Sequence, residues 1–409
     1  MRATQLLFRL IVGLLMAVAW IDRTLRVPLP FPRDPKQLLR RRRWCIGVLT
    51  KAGLLRRGSQ VLEFAVAPFK TGEAFRSQCA RVDLRVANPD GSEVRHALVA
   101  KFAPPPNNLR DHAIFILQEN HKKEAGVYQH LAGDPHIAMP AAYFAAAHGP
   151  SGNLCLLIER MEGGREVSER QGCPPELCEL AVDAFASLHA AFWDRSDPRT
   201  DFLAVVPDSA IDFLAELFQG PDRALFGELL RQVWRHDKQA PTTVLHGDAR
   251  VGNMLFPGSD GSGRFALIDW QAARKGKGAF DLAYFLVLSC DPTVRRAHAE
   301  RLLDRYHAAL LANGVQGYGR ETLGDDYRFA CLLTLAFVSL PLLSAESSAT
   351  DANAKGLADL GEVWAQRMAA LVQDLDFAWI QAKTGLDAGQ LQTAFARSNR
   401  RVAEQTAPQ

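Results

Sequence analysis

Val244-Leu245-His246-Gly247-Asp248-Ala249-Arg250-Val251-Gly252-Asn253-Met254-Leu255-Phe256 is the stretch from which the fold can be read. A second piece, Ala266-Leu267-Ile268-Asp269-Trp270-Gln271, follows a glycine-rich insert. Each piece is an apolar strand that delivers a carboxylate into a loop. The turn between them holds Gly258, Gly261 and Gly263 and predicts a hairpin that brings Asn253 and Asp269 together. An acid, an amide five residues on and a second acid after the next strand are the groups that magnesium-dependent phosphoryl transfer asks for. Asp248, exposed on a loop after a buried strand, can take the proton of an attacking hydroxyl. Asn253 offers a neutral oxygen and Asp269 an anionic one, the hard ligands Mg²⁺ prefers. Arg250 is placed to reach a transferring phosphate, although exposed loop arginines are common.

Composition sets bounds on the rest of the chain. The 409 residues are enough for two domains or two lobes with a large core. Hydrophobic residues at 48% and charged residues at 23% are ordinary for a globular protein. A net charge of +3 is too mild to argue for nucleic acid, and the one dense basic cluster, Arg40 to Arg43, reads as a solvated or membrane-proximal patch. The seven cysteines are scattered with no Cys-x-x-Cys pair, which predicts buried free thiols in a reducing compartment. There is no internal repeat and no Walker A or G-x-G-x-x-G fingerprint.

Residues 5–21 are almost wholly apolar. As a helix they would span about 26 Å, a little short of a ~30 Å hydrocarbon core. A membrane anchor, a helix docked on protein and a signal peptide all fit. The anchor is preferred, because Arg23, Arg26 and the Arg40–Arg43 cluster would then lie on the cytoplasmic side. Export would part the chain from ATP. A stiff linker follows (Pro28, Pro30, Pro32, Pro35), then a helix from Lys36 to about Gly53.

Three strands come next, at Gln60–Val66, Arg81–Val86 and Val94–Phe102, an antiparallel meander with a turn at Asn88-Pro89-Asp90-Gly91. The turn Lys70-Thr71-Gly72-Glu73-Ala74-Phe75 is the candidate nucleotide loop. Lys101 sits among apolar neighbours at the end of the third strand, where it is either an edge lysine or a buried one needing a counter-charge. On the next helix, about Leu109–Leu131, Glu124 shares a face with Val127, Tyr128 and Leu131 and supplies that charge, with Glu119 as the fallback.

Two strands, Ala142–Ala147 and Leu154–Ile158, lead to Glu159-Arg160-Met161-Glu162-Gly163-Gly164. This is a hinge, and the backbone of Glu159 to Met161 is the natural place for an adenine edge. Beyond it the pattern is helical: Pro174–Trp193, with His189 as a core histidine, then Phe280–Leu288 with Asp281 near its N-terminus, where a carboxylate can cap. Further helices are expected at about 293–313, 326–345 and 355–383.

The set His-Gly-Asp-x-x-x-x-Asn, then Ile268-Asp269-Trp270-Gln271, then Asp281-Leu282-Ala283-Tyr284-Phe285-Leu286, resembles the aminoglycoside phosphotransferase and choline kinase superfamily. The last two pieces most resemble its ecdysteroid-kinase-like (CHK-type) branch. Ala186-Ser187-Leu188-His189-Ala190-Ala191-Phe192-Trp193 also looks like that superfamily's first large-lobe helix. The resemblance implies an α+β, protein-kinase-like bilobal fold with ATP in the cleft. It implies Asp248 as catalytic base with His246 bracing the loop, Asn253 and Asp269 as Mg²⁺ ligands, and Lys101, partnered by Glu124, on the nucleotide phosphates. Gly247 stands where protein kinases carry the arginine of His-Arg-Asp, Trp-Gln follows Asp269 instead of Phe-Gly, and no Ala-Pro-Glu motif is present. The implied acceptor is therefore a small-molecule hydroxyl rather than a protein or nucleic acid.

The expected divisions are an apolar segment and linker over 1–33, a nucleotide lobe over 34–158, a helical lobe with the catalytic and acceptor groups over 159–397, and a disordered tail over 398–409. The expected location is the cytoplasm, with residues 5–21 contacting its membrane. The alternative is a kinase-fold binding module or scaffold without catalysis.

Overall fold

The computed structural model describes residues 13–18, 21, 28–69, 77–103, 116, 119–218, 220–345 and 352–406. In chain order the elements are α1 (Pro35–Arg40), α2 (Arg42–Lys51), β1 (Gln60–Phe69), β2 (Gln78–Ala87), β3 (Glu93–Phe102), α3 (Asn120–His130), β4 (Ala142–His148), β5 (Asn153–Glu159) and β6 (Gly164–Arg165). They continue with α4 (Pro175–Ala191), α5 (Asp208–Leu217), α6 (Arg223–Asp237), β7 (Thr243–Leu245), β8 (Met254–Pro257), β9 (Ala266–Leu267) and β10 (Arg274–Gly276). The last six are α7 (Ala279–Ser289), α8 (Pro292–Ala312), α9 (Arg320–Ala345), α10 (Ala352–Gln373), α11 (Phe377–Thr384) and α12 (Ala388–Thr406). The chain has the α+β, protein-kinase-like fold, with an antiparallel sheet in one compact unit and mainly helices in the other. The first unit takes Met1–Arg165, Pro198–Phe202 and Leu255–Ala273; the second takes Glu166–Asp197, Leu203–Met254 and Arg274–Gln409.

The first unit is built on a five-stranded antiparallel sheet of order β1-β2-β3-β5-β4. Strand period puts Leu98, Ala100 and Phe102 of β3 on one face and Lys101 on the other. The apolar face packs with Val82, Leu84 and Val86 of β2 under Leu38, Cys45 and Leu49 of α1 and α2, and Leu29 and Phe31 join the same core. Leu38 and Leu49 are fully buried, each worth about 1.5–3 kcal/mol relative to exposure. Asp34 caps α1 by accepting from the Gln37 N–H at 2.8 Å. The helix expected from Lys36 to Gly53 is thus present, interrupted at Arg41.

A small sheet of order β6-β8-β9 carries the predicted hairpin. Its turn closes with Gly258 N–H on the Ser262 carbonyl at 2.8 Å. Gly263 sits at φ +75, and a Cβ there would come within 2.8 Å of the Gly164 nitrogen and 2.9 Å of the Gly163 carbonyl carbon. Both contacts are backbone, so neither can swing aside.

In the second unit α4 packs on α8, and α7 on α9. His189 on α4 is fully buried, a core histidine as expected. The helix expected over 355–383 is two helices, α10 and α11, because Asp376 breaks the run by accepting from the Trp379 N–H at 3.0 Å. In the stretch 398–409, expected as a disordered tail, α12 runs to Thr406, with no glycine or proline between 390 and 406 to stop it. All seven cysteines are buried and unpaired by disulfides, as their spacing predicts. Among the described residues no helix is long and apolar enough to cross a membrane. Most of residues 5–21 lies outside the described residues.

Gly263→Ala should cost about 2 kcal/mol or more, from left-handed strain and overpacking. Urea unfolding followed by circular dichroism would show an earlier midpoint, and an unchanged midpoint would mean that the turn relaxes freely.

Candidate active site

In the first unit, β3 ends by turning Lys101 off the apolar face, and α3 presents Glu124 to it. Lys101 Nζ donates to Glu124 Oε1 at 2.7 Å and to Asp269 Oδ1 at 3.0 Å, and all three side chains are at most 7% exposed. Burial alone would push the lysine pKa down; the Asp269 and Glu124 carboxylates outweigh it and hold the ammonium charged. Burial also raises the Glu124 carboxyl, against the pull of Lys101. Two carboxylates on one ammonium leave an excess negative charge in a dry site, which a second cation would balance. Asp269 itself has φ +65 and ψ 65, the left-handed region that a non-glycine residue enters at a cost. Such strain persists where the surrounding structure over-determines it, often at functional positions. Trp270, fully buried, anchors the turn through Nε1 on the Leu267 carbonyl at 3.3 Å.

In the second unit the loop after β7 makes a tight turn at Gly247 (φ +80), a conformation that the arginine of a protein kinase loop would resist. Asp281 on α7 fastens this turn from beneath. Its Oδ2 accepts from the His246 N–H at 2.6 Å and its Oδ1 from the Gly247 N–H at 2.9 Å. His189 lies against the same carboxylate through Nε2 at 3.3 Å and meets Tyr306 OH through Nδ1 at 2.7 Å. Burial would raise the Asp281 pKa, but the His189 contact, the positive field of His189 and His246 and the backbone donors carry it below the ordinary value. Asp281 does not cap its own helix, as the sequence suggests; it braces the loop.

Asp248 emerges from this turn with its carboxylate oriented by three donors. Tyr284 OH donates to Oδ1 at 3.0 Å, Asn253 Nδ2 to Oδ2 at 2.8 Å, and Arg250 Nε reaches Oδ2 at 3.4 Å. Asn253 Nδ2 also donates to the Asp248 carbonyl at 2.9 Å. The amide is therefore fixed with its nitrogen inward, and Asn253 Oδ1 is buried without a hydrogen-bond partner. An orphaned carbonyl oxygen next to the Asp248 carboxylate suits a hard cation. No group of three or more His, Cys, Asp or Glu that could hold a metal occurs among the described residues.

Arg250 is held rather than free to sweep. Its guanidinium is ion-paired with Glu169 and lies 5.8 Å from the Trp364 ring centroid. Burial raises the Glu169 carboxyl and Arg250 opposes it. A Cβ at Gly252 would collide with Glu169 Oε1 and with Arg250 Nη1, so the bare backbone there is what admits the carboxylate. Ser289 Oγ accepts the Val251 N–H at 2.8 Å and pins the far side of the loop.

The sequence-derived residues fall into these two groups: Lys101, Glu124 and Asp269 in the first unit, and His246, Asp248, Arg250 and Asn253 in the second. At the expected hinge, Glu159 pairs with Arg264 at 2.6 Å, and the N–H groups of Glu159 and Arg160 are taken by Ala141 and Ala97 carbonyls. Met161 is half-buried. Gly72 lies outside the described residues. Sequence reasoning missed the roles of Tyr284, Glu169, Ser289 and Gly252. Tyr284 could have been found, since i, i+3 spacing puts it on the face of α7 that carries Asp281. Glu169 meets Arg250 across 81 residues, which no local pattern reveals.

Residues 93–324 match the phosphotransferase enzyme family, APH, over more than half of the chain. The chain belongs to that family. Among solved structures it is similar to aminoglycoside 2′-phosphotransferase-IIIa in its GDP complex, at 15% identity over 79% of this chain and 98% of that one, with a TM-score of 0.46. It is also similar to a choline/ethanolamine kinase family protein from Mesorhizobium loti (12% identity, 85% and 99% covered, TM-score 0.45) and to the choline kinase LicA from Streptococcus pneumoniae (12%, 80% and 99%, 0.43). No curated protein matches the sequence.

Asp281→Asn should destabilise the chain at pH 7 by about 1.5–3 kcal/mol for each charged hydrogen bond weakened. Because the folded pKa is depressed, the wild-type advantage is present above the ordinary carboxylate value of ~3.9. It is lost as pH falls through the lower folded value. Melting temperatures of the two proteins should therefore converge below about pH 4; a gap that stays constant from pH 7 to pH 3 would contradict the bracing role.

Proposed function

We propose that the chain is an ATP- and Mg²⁺-dependent kinase that phosphorylates a hydroxyl group of a small molecule. The single observation that carries this reading is the Asp248–Asn253 arrangement: a carboxylate oriented by three donors beside an amide whose buried oxygen has no partner. Asp248 takes the acceptor proton as its oxygen bonds to the γ-phosphorus. The bond from that phosphorus to the bridging oxygen breaks, and ADP leaves with the electron pair. Bound by Asn253 and Asp269, Mg²⁺ would neutralise charge on the phosphate oxygens. Lys101, held charged by Asp269 and Glu124, orients the phosphates. His246 and Asp281 keep the loop in place, and Arg250 adds positive charge beside the base. The adenine edge is assigned to the hinge at Glu159–Met161 and the phosphate-covering turn to Gly72. Residues 34–158 are the nucleotide part and 159–397 the catalytic and acceptor part.

Within the family, our reading is the ecdysteroid-kinase-like (CHK-type) branch, supported by Ile268-Asp269-Trp270-Gln271 and by Asp281 to Leu286. Residues 5–21 are assigned to contact with the cytoplasmic face of a membrane. Leu14 and Ile21, 67% and 44% exposed, and the exposed Arg40, Arg42 and Arg43 support that contact.

Asp248→Ala should lower turnover by roughly 10²–10⁴-fold, the usual worth of general-base help, while Mg²⁺–ATP still binds. Lys101→Met should instead weaken ATP binding. Steady-state kinetics with ATP varied separates the two, and undiminished turnover in Asp248→Ala would remove the base assignment.

A further inference from the structure

Two polar atoms beside Arg250 have nothing in the protein to satisfy them. Glu169, 8% exposed at its side chain, gives Oε1 to Arg250, while its Oε2 is buried with no hydrogen-bond partner. The indole Nε1 of Trp364, whose ring lies over the same guanidinium, is also buried and donates to nothing. Native proteins rarely leave buried polar atoms unpaired, and a charged one is the costlier to leave. The surroundings are built rather than loose. Arg367 Nη2 donates to the Glu169 carbonyl at 2.7 Å, its Nη1 is held by the Leu288 carbonyl, and Gly252 makes room for the carboxylate.

We propose that Glu169 Oε2 and Trp364 Nε1 form the acceptor subsite, and that they read a second hydroxyl of a neutral polyol such as a sugar or cyclitol. The proposal rests on the kinase reading, because an acceptor hydroxyl must come within hydrogen-bond reach of Asp248. Arg250 links both residues to Asp248: its Nε lies 3.4 Å from Asp248 Oδ2, and its guanidinium pairs with Glu169 and lies 5.8 Å from the Trp364 ring centroid. The chemistry of the unmet atoms selects the ligand. An ammonium would suit Glu169 Oε2 but face the Arg250 guanidinium and the indole N–H. An anion would suit those two but face Glu169 and Asp248. A hydroxyl donates to the carboxylate and accepts from the indole, and it brings no charge. Among the described residues in this cluster, the two acids Asp248 and Glu169 are matched by the two bases Arg250 and Arg367. A polycation therefore finds no net field to draw it in.

The test uses the full chain with Mg²⁺–ATP and two panels: D-glucose, D-mannose, D-ribose and myo-inositol against kanamycin and choline. Phosphorylation of at least one neutral polyol is expected. Trp364→Phe, which keeps a ring over Arg250 but removes the donor, should raise the polyol KM about 3- to 10-fold and leave the ATP KM and the melting temperature unchanged. Glu169→Gln should raise the same KM. Turnover confined to kanamycin or choline overturns the proposal, as does a parallel rise in the ATP KM in both variants. If Mg²⁺–ATP binds but no polyol is phosphorylated, the subsite is refuted and the kinase reading stands. If Mg²⁺–ATP does not bind at all, the kinase reading fails and this proposal with it.

Discussion

One buried carboxylate, Asp281, holds the backbone of the loop that carries Asp248. Its two oxygens take the N–H groups of His246 and Gly247, so the turn at Gly247 has a single low-energy course. Asp248 then leaves that turn in one direction, and Tyr284, one helical turn beyond Asp281 on α7, steadies its carboxylate from the same rigid element. Sites built on helices in this way keep their geometry better than sites built on loops alone. His189 and Tyr306 complete the support from α4 and α8, which is why a histidine deep in the helical core is more than filler.

The group around Lys101 follows a different electrostatic logic. A lysine buried among apolar residues would ordinarily lose its proton, but Glu124 and Asp269 oblige it to keep its charge. They also over-compensate it, leaving the cluster with more negative than positive charge. Asp269 bears this load in a strained left-handed conformation. A cation bound there would offset that excess of negative charge. In the loop around Asp248 the corresponding deficit is a single oxygen, Asn253 Oδ1. Asn253 is thus unsatisfied in the way a hard metal would correct, while Asp269 shares its one ammonium with a second carboxylate.

What the sequence makes legible is whatever repeats along it. Strand alternation locates β2 and β3, and helical spacing turns Glu124 towards the core that Lys101 also enters, so their pairing can be expected before any coordinates. The motif spacing from His246 to Asn253 likewise carries the loop. What stays hidden depends on contacts far apart in the chain. Asp281 at the start of a helix looks like a cap, and only packing shows that it serves a loop 35 residues upstream. Glu169 sits in an irregular segment with no period to read, yet its buried pairing with Arg250 shapes the space beside Asp248. The break between α10 and α11 rests on one aspartate cap, a signal too small to stand out in an apolar run. The helical continuation to Thr406 is masked by its polar composition.

The most direct measurement is a phosphorylation screen of a metabolite extract with γ-labelled ATP and Mg²⁺, read by mass spectrometry for wild type and Asp269→Ala. The structure predicts a small molecule that acquires the label as a phosphate ester with the wild-type protein and not with the variant. A labelled product formed equally by both would contradict the central role of Asp269, and absence of any labelled product from the wild type would contradict the kinase assignment itself.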